Sequence, residues 1–105
     1  MITKLKDARK KEFKGISFNV LAIGKNSMVT KMNYNQGDYA STHSHPNEQS
    51  GYVISGKYKI MIDGKEFLIS TGDSYAIPEN ITHSIEVIEA GEVIDVFTPI
   101  RKDYL

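Results

Sequence analysis

Gly37-Asp38-Tyr39-Ala40-Ser41-Thr42-His43-Ser44-His45-Pro46-Asn47-Glu48-Gln49, running on to Gly56, is the stretch around which this chain is organised. It holds two of the three histidines, separated by one residue and followed by an acidic and an amide side chain. Side chains alternate faces in an extended segment, so His43 and His45 are expected to point the same way, close enough to share one ion. Gln49 can add an oxygen donor, and the third histidine, His83, lies far off in sequence. Neutral imidazoles with an amide oxygen form a nitrogen–oxygen site of the kind divalent first-row metals occupy.

A second stretch supports the first. In Gly72-Asp73-Ser74-Tyr75-Ala76-Ile77-Pro78-Glu79-Asn80-Ile81-Thr82-His83 a glycine turn feeds a strand, a proline turn reverses it, and a histidine opens the next strand. If the two stretches lie on neighbouring strands, His83 completes a three-imidazole set with His43 and His45.

The rest of the chain has the texture of strands. Ile16 to Ile23 is β-branched, aromatic and partly alternating, and it stops at Gly24. Ser27 to Asn35 alternates, placing Met28, Thr30, Met32 and Tyr34 on one face. Tyr52 to Ser55 precedes Gly56, and then Tyr58, Ile60 and Ile62 alternate with Lys57, Lys59 and Met61. Asp63-Gly64 lies between two such runs, and both residues tolerate positive φ, so a two-residue type I′ hairpin is expected there. Phe67 to Ile69 returns, and Ser74 to Ile77, Ile81 to Ile88 and Glu92 to Thr98 follow, each bounded by turn residues. Met1 to Gly15 has no clear period and is expected to be a lead-in segment before a single domain spanning 16–105. Short strands at this spacing with almost no helical pattern predict an all-β sandwich or barrel.

Composition narrows the function. A chain of 105 residues is one domain, able to bury about two-thirds of its unfolded surface. It has no cysteine, so disulfides and thiolate ligands are excluded. Thirteen basic residues balance thirteen acidic ones, so no overall field favours nucleic acid. The basic residues Lys4, Lys6, Arg9, Lys10, Lys11 and Lys14 gather near the start and are expected to form a solvated arm. No apolar run is long enough to span a membrane, and none follows the early lysines as in a secretory signal. The expectation is therefore a soluble cytoplasmic protein with no nucleic-acid or membrane partner.

With both stretches in view, the chain resembles the cupin superfamily. Gly37, His43, His45, Gln49 and Gly56 follow the spacing of cupin motif 1 (37–56), while Gly72, Pro78 and His83 follow motif 2 (72–87). Fifteen residues separate Gly56 from Gly72, the short spacing of small single-domain cupins. The resemblance implies a double-stranded β-helix, or jelly-roll barrel. It also implies one divalent transition metal per chain (Zn, Ni, Fe, Mn or Cu) on His43, His45, Gln49 and His83. This chain departs from the motifs at three places: Gln49 stands where glutamate is usual, Asn80 replaces a glycine and Val87 an asparagine. Gln49 brings no negative charge, so a bound ion would keep its full charge as a Lewis acid. Alternatively the loop turns so that Glu48 is the ligand.

The sequence around His43 to Gly56 and the tail Asp95 to Leu105 resemble the small cupins of pectin and alginate breakdown, which convert unsaturated uronates into linear keto sugars. That resemblance implies a sugar-acid substrate, with Asp95, Phe97 and Arg101 on the substrate side. Read without it, Val93, Asp95 and Phe97 share one face of a strand, apolar except for Asp95. A carboxylate on an interior face is costly unless paired or used, and burial would raise its pKa toward that of a general base. Otherwise Asp95 faces solvent or pairs with a lysine. Arg101 could hold a substrate carboxylate in a two-bond fork, and Phe97 is a sugar-stacking or core residue. Tyr39, Tyr52, Tyr75, Met32 and Met61 are candidates for the cavity wall.

Three functions follow: a metal-dependent isomerase-type enzyme on an unsaturated uronate or similar sugar acid, a metal-dependent oxygenase, and a non-catalytic small-molecule-binding module. Unpaired sheet edges make a homodimer the expected assembly.

Overall fold

The computed structural model describes residues 1–105. Ten strands follow one another: β1 (Arg9–Phe13), β2 (Ile16–Ile23), β3 (Met28–Tyr34), β4 (Tyr39–His43) and β5 (Glu48–Val53), then β6 (Lys57–Ile62), β7 (Lys65–Ser70), β8 (Ser74–Ile77), β9 (His83–Glu89) and β10 (Gly91–Thr98). They form a six-stranded sheet in the order β1-β2-β3-β10-β5-β8 and a four-stranded sheet in the order β4-β9-β6-β7. Every pairing is antiparallel. This is the all-β architecture that the strand pattern predicts, arranged as the jelly-roll barrel that the cupin resemblance implies. Segment 1–15 joins the larger sheet through β1, whose Phe13 packs against the core.

The alternation in sequence becomes alternation in burial. Met28, Thr30, Met32 and Tyr34 all point inward from β3, and Ile16, Phe18 and Val20 do so from β2. Phe18, Met28, Val53, Tyr58 and Val93 form the fully enclosed centre of the barrel. Inward side chains from both sheets meet there, and removing this apolar area from water is the main term stabilising the fold.

Turn chemistry sets the registers. Asp63 and Gly64 have φ of 52° and 78°, and Ile62 pairs with Lys65 across them, the two-residue hairpin expected from the Asp-Gly pair. Asn80 takes a φ of 62° in the β8–β9 turn, a conformation asparagine tolerates better than most residues. The strand before Gly56 is longer than expected: β5 begins at Glu48 rather than Tyr52. The last strand, β10, opens at Gly91, one residue before the expected Glu92.

Three of the five residues suggested for the cavity wall face outward. Tyr39 and Tyr52 are about half exposed and Met61 more than a third. The cause is strand phase: Ala40, Val53 and Ile60 occupy the inward positions beside them. Met32 and Tyr75 do line the cavity.

Candidate metal centre and cavity

Two strands and two connections bring the histidines together. His43 ends β4 and His83 begins β9, and the two are direct cross-strand partners, with ring centroids 4.3 Å apart. His45 lies beyond the end of β4, so strand alternation does not aim it. The β4–β5 connection folds it back instead, to 4.9 Å from the His83 ring. The Asn80 N–H donates to the His45 carbonyl at 2.8 Å, tying the turn before His83 to that connection. Asn47 Nδ2 donates to the Pro99 carbonyl at 2.7 Å and anchors the connection to the tail.

The proton positions on all three rings follow from their partners. Nδ1 of His43 faces the Ser41 carbonyl at 2.6 Å, that of His45 the Asn47 carbonyl at 2.9 Å, and that of His83 the Ile81 carbonyl at 2.9 Å. A carbonyl oxygen only accepts, so each neutral ring carries its proton on Nδ1 and presents Nε2 as a lone pair. One ligand atom from each ring falls within 4.8 Å of the others. His83 Nε2 is buried with no hydrogen-bond partner, an arrangement that is unfavourable unless a cation takes the lone pair. Fixing the far ring nitrogen on a backbone carbonyl is how metal-ligating histidines are oriented. The residues present therefore fit a divalent transition metal.

Burial disfavours the imidazolium form throughout. It pushes the His83 pKa down to about 4, with the neighbouring His43 and His45 adding to the effect. His43 and His45 are also lowered, chiefly by burial. Neutral rings are the ligating form.

Gln49 reaches the same place from the other sheet. It points inward from β5, where it pairs with Phe97 of β10, and its Oε1 lies 3.0 Å from His45 Nε2. Glu48 is exposed on the opposite face, so Gln49 is the side chain of the two that meets the histidines.

His43, Gln49, His83, Asp95, Phe97 and Arg101 line one cavity. Asp95 is only 2% exposed, so it faces neither solvent nor a lysine; its partner is the Tyr75 hydroxyl, which donates to Oδ1. Burial raises its pKa to about 6, while hydrogen bonds from Tyr75 and Gln49 and the charge of Arg101 pull the other way. Phe97 packs its ring edge-on to His45 at 5.7 Å. Arg101 is 7% exposed, with its guanidinium against the rings of Phe13, Phe97 and Tyr104. Asp103 accepts from Nε and Nη2, and the Tyr104 hydroxyl accepts from Nη1. Arg101 also borders an outer groove with His45 and Asp103. Asp103 and Tyr104 hold Arg101 locally, from the short turn that follows it, whereas Phe13 reaches it from the far end of the chain and carries no spacing signal that sequence could reveal.

Fold and site together define a small metal-site β-barrel, and the chain belongs to the cupin domain family, whose model matches residues 30–97. Among individual proteins, it is 30% identical over 93 residues to the pectin degradation protein KdgF of Dickeya dadantii, covering 87% of this chain and 84% of that one. The solved KdgF of a Halomonas species superposes with a TM-score of 0.90 at 24% identity, covering 100% of this chain and 98% of that one. An RmlC-like cupin of Shewanella frigidimarina gives 0.92 at 24% identity, covering 99% and 95%.

Proposed function

We propose that this protein is a metal-dependent isomerase-type enzyme that opens and ketonises an unsaturated uronate or a similar small sugar acid. One observation carries the proposal: three convergent imidazole lone pairs, one of them orphaned, include two, from His43 and His83, that share a cavity wall with a buried carboxylate and a buried guanidinium. The likeness to pectin degradation proteins supports the substrate class.

His43, His45, His83 and Gln49 would hold the ion, which supplies a Lewis-acidic charge against a substrate oxygen. The net change is an isomerisation with no redox step. Ring opening moves the hemiacetal hydroxyl proton and breaks the ring carbon–oxygen bond, leaving an enol. The enol then gains a proton on carbon and loses one from oxygen. Asp95, with a pKa of about 6, is matched to accepting and returning that proton near neutrality. Arg101 would bind the substrate carboxylate through the Nε–Nη2 fork that Asp103 occupies, by displacing that exposed side chain, and Phe97 walls the cavity. A cytoplasmic homodimer is the assembly that fits this reading, with the outer edge of β1 left unpaired in one chain.

The test is a 4,5-unsaturated uronate followed by the ultraviolet absorbance of its conjugated double bond. Decay faster than the protein-free control, and lost in His83→Ala and Asp95→Asn, is expected. Decay at the control rate with metal-loaded protein would overturn the proposal.

A further inference from the structure

Three adjacent strands meet at one level of the larger sheet. Gly51 of β5 pairs with Asp95 of β10 on one side and with Tyr75 of β8 on the other. The Tyr75 ring lies across β5 at Gly51, and its hydroxyl reaches Asp95 Oδ1 at 2.5 Å. A side chain at position 51 would close this path, because a Cβ built there falls within the Tyr75 ring and hydroxyl atoms. Gly51 has no positive φ to explain its presence. A missing side chain in mid-strand weakens a sheet and marks close approach by another group, here the tyrosine.

We infer that Tyr75 is a positioning residue that reaches through the gap at Gly51 to fix the Asp95 carboxylate in the cavity. The role rests on the function proposed above, in which Asp95 moves the proton. Burial pushes the Tyr75 phenol well above its ordinary pKa, so it stays a donor whatever the state of Asp95. Tyr75 is the side chain that donates directly to the Asp95 carboxylate. Geometry of this kind matters to rate because a proton must be delivered along one direction.

The test uses metal-loaded, full-length protein. Tyr75→Phe removes the hydroxyl and keeps the ring. Expected are a fall in kcat of tenfold or more, a KM within twofold of wild type, and unchanged metal content. A merely structural role would leave kcat per folded, metal-bound chain unchanged. Gly51→Ala, which displaces the ring, should reproduce the kcat loss; if it does not fold, Tyr75→Phe alone decides. A double-mutant cycle of Tyr75→Phe with Asp95→Ala, read by urea unfolding, should show coupling of at least tenfold in the unfolding constant. Wild-type kcat in Tyr75→Phe, or no coupling in the cycle, would overturn the inference. No uronate turnover in wild type would instead defeat the proposed function. The cycle, which needs no substrate, would then decide whether Tyr75 holds Asp95.

Discussion

Oε1 of Gln49 sits 3.0 Å from Nε2 of His45, while Nδ1 of the same ring is committed to the Asn47 carbonyl. With the proton on Nδ1, two acceptors face one another. That repels unless a proton or cation lies between them. Removing the metal with a chelator should therefore lower Tm, and restoring it should raise Tm by an amount that grows with metal concentration. His83→Ala should bind under a tenth of an equivalent where wild type binds about one, measured by elemental mass spectrometry.

Gln49→Glu should tighten metal binding and slow turnover. The new carboxylate adds charge to the ligand set, but it also stands beside Asp95 and opposes that group's ionised form. Competition with a chelator would report the first effect. A shift of the acid limb of the kcat/KM profile to higher pH would report the second.

Asp95→Asn should abolish turnover and stabilise the fold at neutral pH. In the folded state the Asp95 pKa is raised from 3.8 to about 6, so ionising it inside the barrel opposes folding by up to about 3 kcal/mol. Asparagine removes the charge and still accepts from Tyr75. Urea unfolding at pH 7.5 should show the variant more stable, with unchanged metal content as the control.

In metal-stripped protein stability should fall as pH drops below 6.5, because His43, His45 and His83 are all lowered. The fall should be steeper in Asp95→Asn than in wild type. His83 has a folded pKa of about 4 against an ordinary 6.5. Between those values the unfolded chain binds the extra proton, so stability falls as pH drops. Asp95 is raised to about 6, so between 3.8 and 6 the folded chain binds the extra proton and stability rises as pH drops. The two oppose each other over the same window. Deleting the Asp95 contribution exposes the histidine slope, measurable as unfolding midpoints at pH 4.5 and pH 7.

Asp103→Asn should lower KM for a carboxylate substrate by several-fold with little change in stability. Asp103 accepts from the Nε and Nη2 edge of Arg101 at 3.3 and 2.8 Å, the fork a substrate carboxylate would need. Its side chain is 61% exposed, so the ion pair contributes about 1 kcal/mol or less to folding. Arg101→Lys should raise KM instead, because a lysine supplies charge without the fork. Steady-state kinetics on both variants separates the effects.

Much of the barrel was legible in the residues. Alternation placed the inward face of β3 correctly, and Asp63-Gly64 marked its hairpin. Spacing from Gly37 to Gly56 and from Gly72 to His83 picked out the three histidines that converge. Local rules failed where the chain leaves a strand. His45 joins the site through a loop held by Asn47 and Asn80, not through period-two alternation. Tyr52 was misplaced because Gln49, Gly51 and Val53 fix the phase of β5, and one residue of slip exchanges faces. Met61 was misplaced against its own alternation, since Ile60 beside it already claimed the interior. The contact of Phe13 with Arg101 and the path of Tyr75 past Gly51 join residues distant in sequence, and no local period encodes them.

His43 and His83 belong to the four-stranded sheet, whereas Gln49 belongs to the six-stranded one. A cation gripped by all of them would fasten the two layers at a single end of the barrel, like a rivet through two plates. Affinity for the ion and resistance of that end to prying apart would then be one equilibrium seen from two directions. Amide hydrogens near the His43–His83 pair should exchange faster once the rivet is withdrawn, while those around Phe18 and Val93, deep in the packed centre, keep their protection.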